Sequence, residues 1–405
     1  MTGAACPLRF QNGHVLDPFS VSEHTMQRRD FLAAAASTGA ALAFPRHSDA
    51  QSLDARTVQQ QRSSIWFDAQ GGVSGLDEKP DGRYVATPQL IEAVRQRRLD
   101  LVNVTVADPG NGPDRFRSAV EGIAIWNRIV NDNRAIMARV QSIPDVHAAR
   151  AAGKLGVIYD FQDTAPLEGD SSRVATFATL GIKVMQLTYN KRNLCGDGCL
   201  ERDNAGLSDF GRETIARINE AKVVLDLSHS GPKTIAEGIA ASKTPLAITH
   251  SGCRSLVDNP RNTFDAEMRA LANKGGVFGV YLMPFLTLKG QPQREDLIRH
   301  IEHAANVCGE DHIGIGTDNP MLGFEINEQS RKEQREFYES RAKRGIAAPG
   351  EAADVFNMVD GYNDALRYEH LASDLSRRGW SSTRIEKLLG GNFLRLFGEV
   401  WPAEG

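Results

Sequence analysis

The sequence predicts a (β/α)8 barrel, and three observations lead there. Eight short apolar runs recur from residue 65 onward, and amphipathic stretches separate them. No Gly-x-Gly-x-x-Gly follows any of the runs, which argues against the open doubly wound sheet. About 355 residues beyond the first fifty suit a closed barrel with insertions. Composition agrees: 405 residues, 41% hydrophobic and 24% charged, is the range of packed globular chains. Lys and Arg number 47 against 51 Asp and Glu, a net charge of −4, so the basic excess of a nucleic-acid binder is absent. Five cysteines are too few for a disulfide scaffold, and a hydrophobic core must hold the fold.

The first fifty residues read as a targeting region. Arg28-Arg29-Asp30-Phe31-Leu32 leads into residues 33–44, almost all Ala, Leu, Gly, Ser and Thr. That stretch is shorter than the roughly 20 apolar residues a bilayer span requires. A basic segment, a short apolar segment and a small-residue cleavage site describe a secretory signal, and paired arginines mark its twin-arginine form. Cleavage is expected after Ala43 or Ala50, with Met26 as the working start. The twin-arginine route carries folded proteins, often with a metal or cofactor in place. The expected location is therefore the periplasm, without a transmembrane anchor and with a homodimer left open. Residues 51–405 are expected to form a single barrel domain with C-terminal helices.

The candidate strands are 65–68, 99–106, 155–161, 183–188, 223–227, 245–249, 276–281 and 312–317. Nearly continuous apolar runs fit parallel strands buried on both faces. Phe116, Val120, Ile123, Ile129 and Val130 fall near a 3.6-residue period, and further helices read at 210–221, 232–241, 265–273 and 294–308. Ser230 or Gly231 caps the helix at 232–241, with Pro232 at its first position. Two insertions stand out. Residues 190–209 are polar and carry Cys195 and Cys199, which either close a small disulfide loop or stay free. Residues 319–354 include the charged run 328–344, which reads as a solvated helix over one face. The stretch 355–378 reads as a long helix with a shorter one after it.

In such a barrel the active site forms where strands end at the C-terminal face. His229, His250 and Asp318 each follow a candidate strand directly. Two imidazoles from successive strands would lie side by side, and with an acidic partner they could hold zinc with one position open. The alternative for each histidine is a loop carbonyl or a helix cap.

Gly206-Leu207-Ser208-Asp209-Phe210-Gly211 and Val224-Leu225-Asp226-Leu227-Ser228-His229 resemble the membrane (renal) dipeptidase family of zinc peptidases. Leu187-Thr188-Tyr189-Asn190, Thr249-His250-Ser251, Arg261-Asn262, Gly316-Thr317-Asp318 and Gly391-Asn392-Phe393-Leu394-Arg395-Leu396-Phe397 extend the resemblance in order to residue 397. The resemblance implies a metal-dependent hydrolase barrel that cleaves dipeptides at a dinuclear zinc centre. It assigns His229 and His250 to one zinc, Arg261 to the substrate carboxylate and Asp318 to the proton of the attacking water.

The departures from the family pattern are as informative. The family's Asp-x-His-x-Asp segment is Asp68-Ala69-Gln70-Gly71-Gly72 here, so Gln70 and Gly72 stand where two zinc ligands are expected. Gln162 stands where the bridging Glu is expected, and Tyr189 replaces a substrate-contacting His. Two zinc ions about 3.5 Å apart repel by roughly 19 kcal/mol at an effective dielectric of 20. Gly72 and Gln162 remove two of the negative charges that offset this repulsion. One ion on His229 and His250, with Asp318, Asp160 or Asp163 as third ligand, is therefore the expected cofactor. Two functions follow. One is a mononuclear zinc hydrolase of a dipeptide or related small amide. The other is a catalytically degenerate relative that binds a small molecule or serves secondary-metabolite or siderophore maturation.

Overall fold

A computed structural model describes residues 9–11, 14–16, 64–110 and 112–401. The twin-arginine segment, Met26 and both expected cleavage sites lie outside the described residues. Strands β1 (Arg9–Gln11) and β2 (His14–Leu16) pair antiparallel, as do β4 (Leu76–Glu78) and β5 (Tyr84–Ala86).

The barrel is built from β3 (Phe67–Asp68), β6 (Leu101–Thr105), β8 (Leu155–Phe161), β9 (Ile182–Gln186), β10 (Val224–Asp226), β11 (Ala247–Ser251), β12 (Val277–Val280) and β13 (Ile313–Ile315). They neighbour one another in that order, all parallel, and β7 (Met137–Arg139) adds a short pairing to the start of β8. The two outer strands also meet. Ala69 N donates to Ile315 O (3.0 Å) and Asp318 N donates to Gln70 O (2.7 Å). Asp68 completes the seam, accepting from the Thr317 amide (2.7 Å) and hydroxyl (2.6 Å). Eight parallel strands thus close on themselves, as the apolar runs predict.

Helices return the chain between strands. Four match their predicted spans to within a residue: Asp209–Glu220, Pro232–Ala241, Asp265–Asn273 and Arg294–Cys308. Gly231 is the cap of the second, with Pro232 in the first turn, where a missing N–H costs nothing. Ser208 opens the first by accepting from Gly211 N at 2.9 Å. Between the strands, among the described residues, three helices went unread in the sequence: Pro88–Arg95, Ile143–Ala151 and Arg173–Leu180.

The floor of the barrel is aromatic. Phe393 and Phe397, on the helix Asn392–Val400, meet Phe67 edge-on at 5.7 and 5.3 Å. Leu101, Ile158, Val184, Val224, Ala247 and Val277 of the barrel strands pack into the same cluster. Gly314 in β13 makes the room, since a Cβ there would lie 2.4 Å from the Phe393 ring.

One expectation is corrected, and one open alternative is decided. Residues 355–366 are turns rather than helix, and the helix begins at Arg367. Gly361 adopts φ +83°, and Asp360 N is taken by Pro292 O, both incompatible with a continuous helix. Cys195 and Cys199 are separate free thiols. Cys195 lies against the Thr164 hydroxyl (3.1 Å), whereas Cys199 donates to Asn190 Oδ1 (3.4 Å). Burial pushes the Cys195 thiol up to about 11, so it stays protonated.

Candidate active site

The C-terminal ends of the strands gather a buried polar layer: Asn103, Asp160, Gln162, Gln186, Asp226, His250 and Thr317 among others. His229 and His250 meet there, their Nε2 atoms 3.0 Å apart. Each ring is fixed from its other nitrogen. His229 Nδ1 faces Asn190 Oδ1 at 2.6 Å, and Asn190 Nδ2 donates to Ile346 O at 2.8 Å, which fixes the amide's orientation. Asn190 therefore presents a carbonyl, and His229 carries its proton on Nδ1. His250 Nδ1 lies 2.8 Å from Thr249 Oγ1, whose proton goes to Asp226 Oδ2 (2.6 Å). That hydroxyl can only accept, so His250 also carries its proton on Nδ1.

The consequence is electrostatic. The two Nε2 atoms face each other at 3.0 Å, a spacing at which two imidazole nitrogens share one positive centre, a proton or a metal ion. Two nitrogen ligands of one tetrahedral zinc stand about 3.3 Å apart, so the rings need part by only a few tenths of an ångström. Partners that lock the distal nitrogen are characteristic of metal-ligating histidines. The histidine pair supplies two of the ligands that one ion needs.

The site does not fit two ions. Among the described residues no group of three or more His, Cys, Asp or Glu is placed to hold a metal. The third ligand expected from the sequence is thus not brought to the pair. Asp163 is spent elsewhere, accepting from Gly110 N (2.5 Å) and Ala165 N (2.9 Å), and burial pushes its carboxyl up. Asp160 accepts from Asn103 Nδ2 at 2.9 Å. Gln162 lies two residues on, on the same face of the strand, but presents a neutral amide. Gln70 donates to Thr105 Oγ1 (2.9 Å), and Gly72 bonds only through its backbone, to Asn319 and Met321. Asp68, the remaining acid of that segment, is committed to Thr317, and burial pushes it up to about 7.

Arg261 is 3% exposed, and among the described residues neither Nη1 nor Nη2 has an oxygen or nitrogen acceptor. Its guanidinium carbon lies 5.6 Å from the centre of the Tyr281 ring, with the weakly polar Cys199 thiol beside it. A buried cation left in this way loses its hydration without compensation, which an arriving carboxylate would supply. Asp318 lies three residues past the end of β13 with φ +57°, and His229 follows β10 with φ +60°. Non-glycine residues in the left-handed region cost of order 1–2 kcal/mol, and such strain collects at working sites.

Tyr189 stacks on the His229 ring, centroids 4.1 Å apart and planes 21° from parallel. Its hydroxyl is 3.3 Å from Arg341 Nη1. Arg341 belongs to the helix Glu328–Lys343, which is mostly exposed, as the charge run predicts. Arg341 itself turns inward. Asn190 and Thr249 lay within the sequence motifs quoted above, but their roles as orienting partners emerge only from the fold. Arg341 carried no signal beyond membership of a charged run.

A closed parallel barrel, a histidine pair at its C-terminal mouth and an anion-ready arginine define a barrel hydrolase of the metal-dependent type. The chain belongs to the membrane dipeptidase family (Peptidase family M19), whose profile matches residues 45–331 and 346–404. Among curated relatives it is 25% identical over 290 residues to Dipeptidase tcpJ of Claviceps purpurea, covering 70% of this chain and 60% of that protein. It is 24% identical over 361 residues to Dipeptidase verJ of Clonostachys rogersoniana, covering 88% and 80%. An amidohydrolase structure from Pseudomonas aeruginosa is 30% identical with a TM-score of 0.72, covering 85% of this chain and 99% of that one. A metallopeptidase from Rhodobacter sphaeroides, liganded with a phosphinate mimic of L-Ala-D-Ala, shares the fold at 17% identity and a TM-score of 0.64, covering 84% and 100%.

Proposed function

We propose that this chain is an exported dipeptidase-type hydrolase that cleaves a dipeptide or related small amide with one zinc ion at His229 and His250. The observation that carries the reading is the opposed pair of Nε2 atoms, 3.0 Å apart on two rings that are each held by a fixed partner at the distal nitrogen. His229 and His250 would hold zinc, which when bound would supply Lewis acidity toward a carbonyl and toward a water near neutral pH. The chain's own residues do the rest. Arg261 pairs its two unpartnered nitrogens with the carboxylate of the substrate and so fixes its direction. Asp318 takes the proton of the attacking water and returns it to the leaving amine. Tyr189 walls the pocket on the His229 side and narrows what enters. Relatives named as dipeptidases support the substrate class, and Arg28-Arg29 supports delivery to the periplasm.

Metal content of the purified, dialysed protein and amine release from a panel of dipeptides test the reading together. One zinc per chain with hydrolysis is expected; no metal and no hydrolysis overturns it. That outcome would favour the second reading, a small-molecule-binding or maturation protein without hydrolysis. The buried amides Gln70 and Gln162, standing where the family resemblance implies acidic or imidazole ligands, are the observation on its side.

A further inference from the structure

Arg341 lies between residues 331 and 346, the stretch that the family profile passes over. Its side chain is 14% exposed and that of Glu351 only 4%. The two form a bidentate pair, Nε to Oε2 at 2.7 Å and Nη2 to Oε1 at 2.9 Å. The same guanidinium has two further contacts. Nη2 donates to Ile346 O at 3.2 Å, and Nη1 donates to the Tyr189 hydroxyl at 3.3 Å. Ile346 O is also the acceptor for Asn190 Nδ2 (2.8 Å), and Asn190 Oδ1 faces His229 Nδ1 (2.6 Å). Tyr189 stacks on the His229 ring. Both restraints on the imidazole, the amide at its edge and the phenol on its face, therefore run back to one arginine.

We propose that Arg341 is a positioning residue for His229, holding the ring with its Nδ1 proton on Asn190 and its Nε2 turned to His250. The argument turns on the Asn190 amide. If the amide flipped, its NH2 would face His229 Nδ1, and the ring would move its proton to Nε2, against His250. The Ile346 carbonyl forbids the flip, because it would then meet Oδ1, acceptor against acceptor. Arg341 and Glu351 pin the turn that carries that carbonyl. A planar fork with five donors can serve Glu351, Ile346 and Tyr189 at once, which a lysine cannot. The proposal rests on the hydrolase reading only for its effect on a bound ion; the tautomer is a property of the protein alone.

The test follows the ring nitrogens. Long-range proton–nitrogen correlation spectra of metal-free protein, at a pH where the rings are neutral, report which nitrogen of His229 carries the proton. The His229 signals are assigned by their loss in His229→Gln. The parent should show the Nδ1–H form. Arg341→Met should populate the Nε2–H form, and Arg341→Lys should do so less. Glu351→Gln, which keeps one hydrogen bond of the clasp, should fall between parent and Arg341→Met, and it decides the matter if Arg341→Met does not fold. A parent in the Nε2–H form, or a folded Arg341→Met or Glu351→Gln that keeps the parental tautomer unchanged, overturns the proposal. Cobalt(II) titration of the same proteins should show affinity falling 10- to 100-fold in Arg341→Met, the usual cost of losing an orienting partner. A parent that binds no cobalt and cleaves no dipeptide sinks the hydrolase reading, while the tautomer comparison still decides the role of Arg341.

Discussion

A single neutral imidazole does not hold a divalent ion against water. His229→Ala and His250→Ala should therefore each reduce bound zinc from one per chain to none after dialysis, measured by elemental analysis. Retention in both variants would make the histidines structural. The converse experiment adds ligands. Gln70→His, Gly72→Asp and Gln162→Glu together would supply two terminal ligands and a bridging carboxylate, with two added negative charges. The triple variant should bind a second zinc, whereas each single change should leave the content at one, because an ion's ligands act only as a set. Gly72 is not among the left-handed glycines, so an aspartate there meets no backbone strain. Metal content and hydrolysis are to be measured separately, since Tyr189 can block substrate with both ions in place. His229 and His250 were legible in the sequence because strand ends at one barrel face are where chemistry collects, whereas Gln70, Gly72, Gln162 and Tyr189 were legible only through the family resemblance. Arg341 was not, because a charged helix turned to solvent and one that buries a single guanidinium have the same composition.

Elements carry the next two predictions. Gly314→Ala places a methyl 2.4 Å from the Phe393 ring, and overpacking of this kind costs about 1–3 kcal/mol. Urea denaturation should show that loss, and adding Phe393→Leu should recover part of it. The helix Arg294–Cys308 contributes a pH dependence. His300 on it is fully buried, accepting from Cys253 N (2.9 Å) at Nδ1 and donating to Leu286 O (3.2 Å) from Nε2. Burial pushes its pKa down from 6.5 to about 4. Between those values the unfolded chain binds the proton and the folded one does not, so the contribution is complete above 6.5 and lost as pH falls toward 4. The loss from pH 7 to pH 5 is on the order of 2 kcal/mol. His300→Gln should unfold more easily at pH 7 but lack this increment of acid sensitivity; an equal decline in both proteins contradicts the assignment. The eight strands were found within a few residues of their predicted limits because doubly buried strands are unbroken apolar runs. Residues 355–366 misread as helix because amphipathic spacing survives there, while the contacts that bend the chain, such as Asp360 with Pro292, are made far along it.

At the scale of the whole molecule, the proposed export rests on Arg28 and Arg29. Changing both to Lys should leave unprocessed precursor in the cytoplasm, followed by fractionation and immunoblotting, and normal processing of that variant counts against the twin-arginine route. No helix among the described residues is long and apolar enough to cross a membrane, so the proposed delivery depends on that segment rather than on the barrel. The barrel's floor has a consequence of a different kind. Phe67 stands on the first barrel strand, yet its aromatic partners Phe393 and Phe397 are on the helix that follows all eight strands. A chain leaving the ribosome makes β3 long before it makes that helix. During most of synthesis the nascent barrel is open underneath, with Phe67, Leu101 and Val224 of its floor still wet. Closure of the floor therefore waits for that helix, and any chain interrupted before Asn392 exposes an apolar hole that chaperones and proteases can read as unfinished.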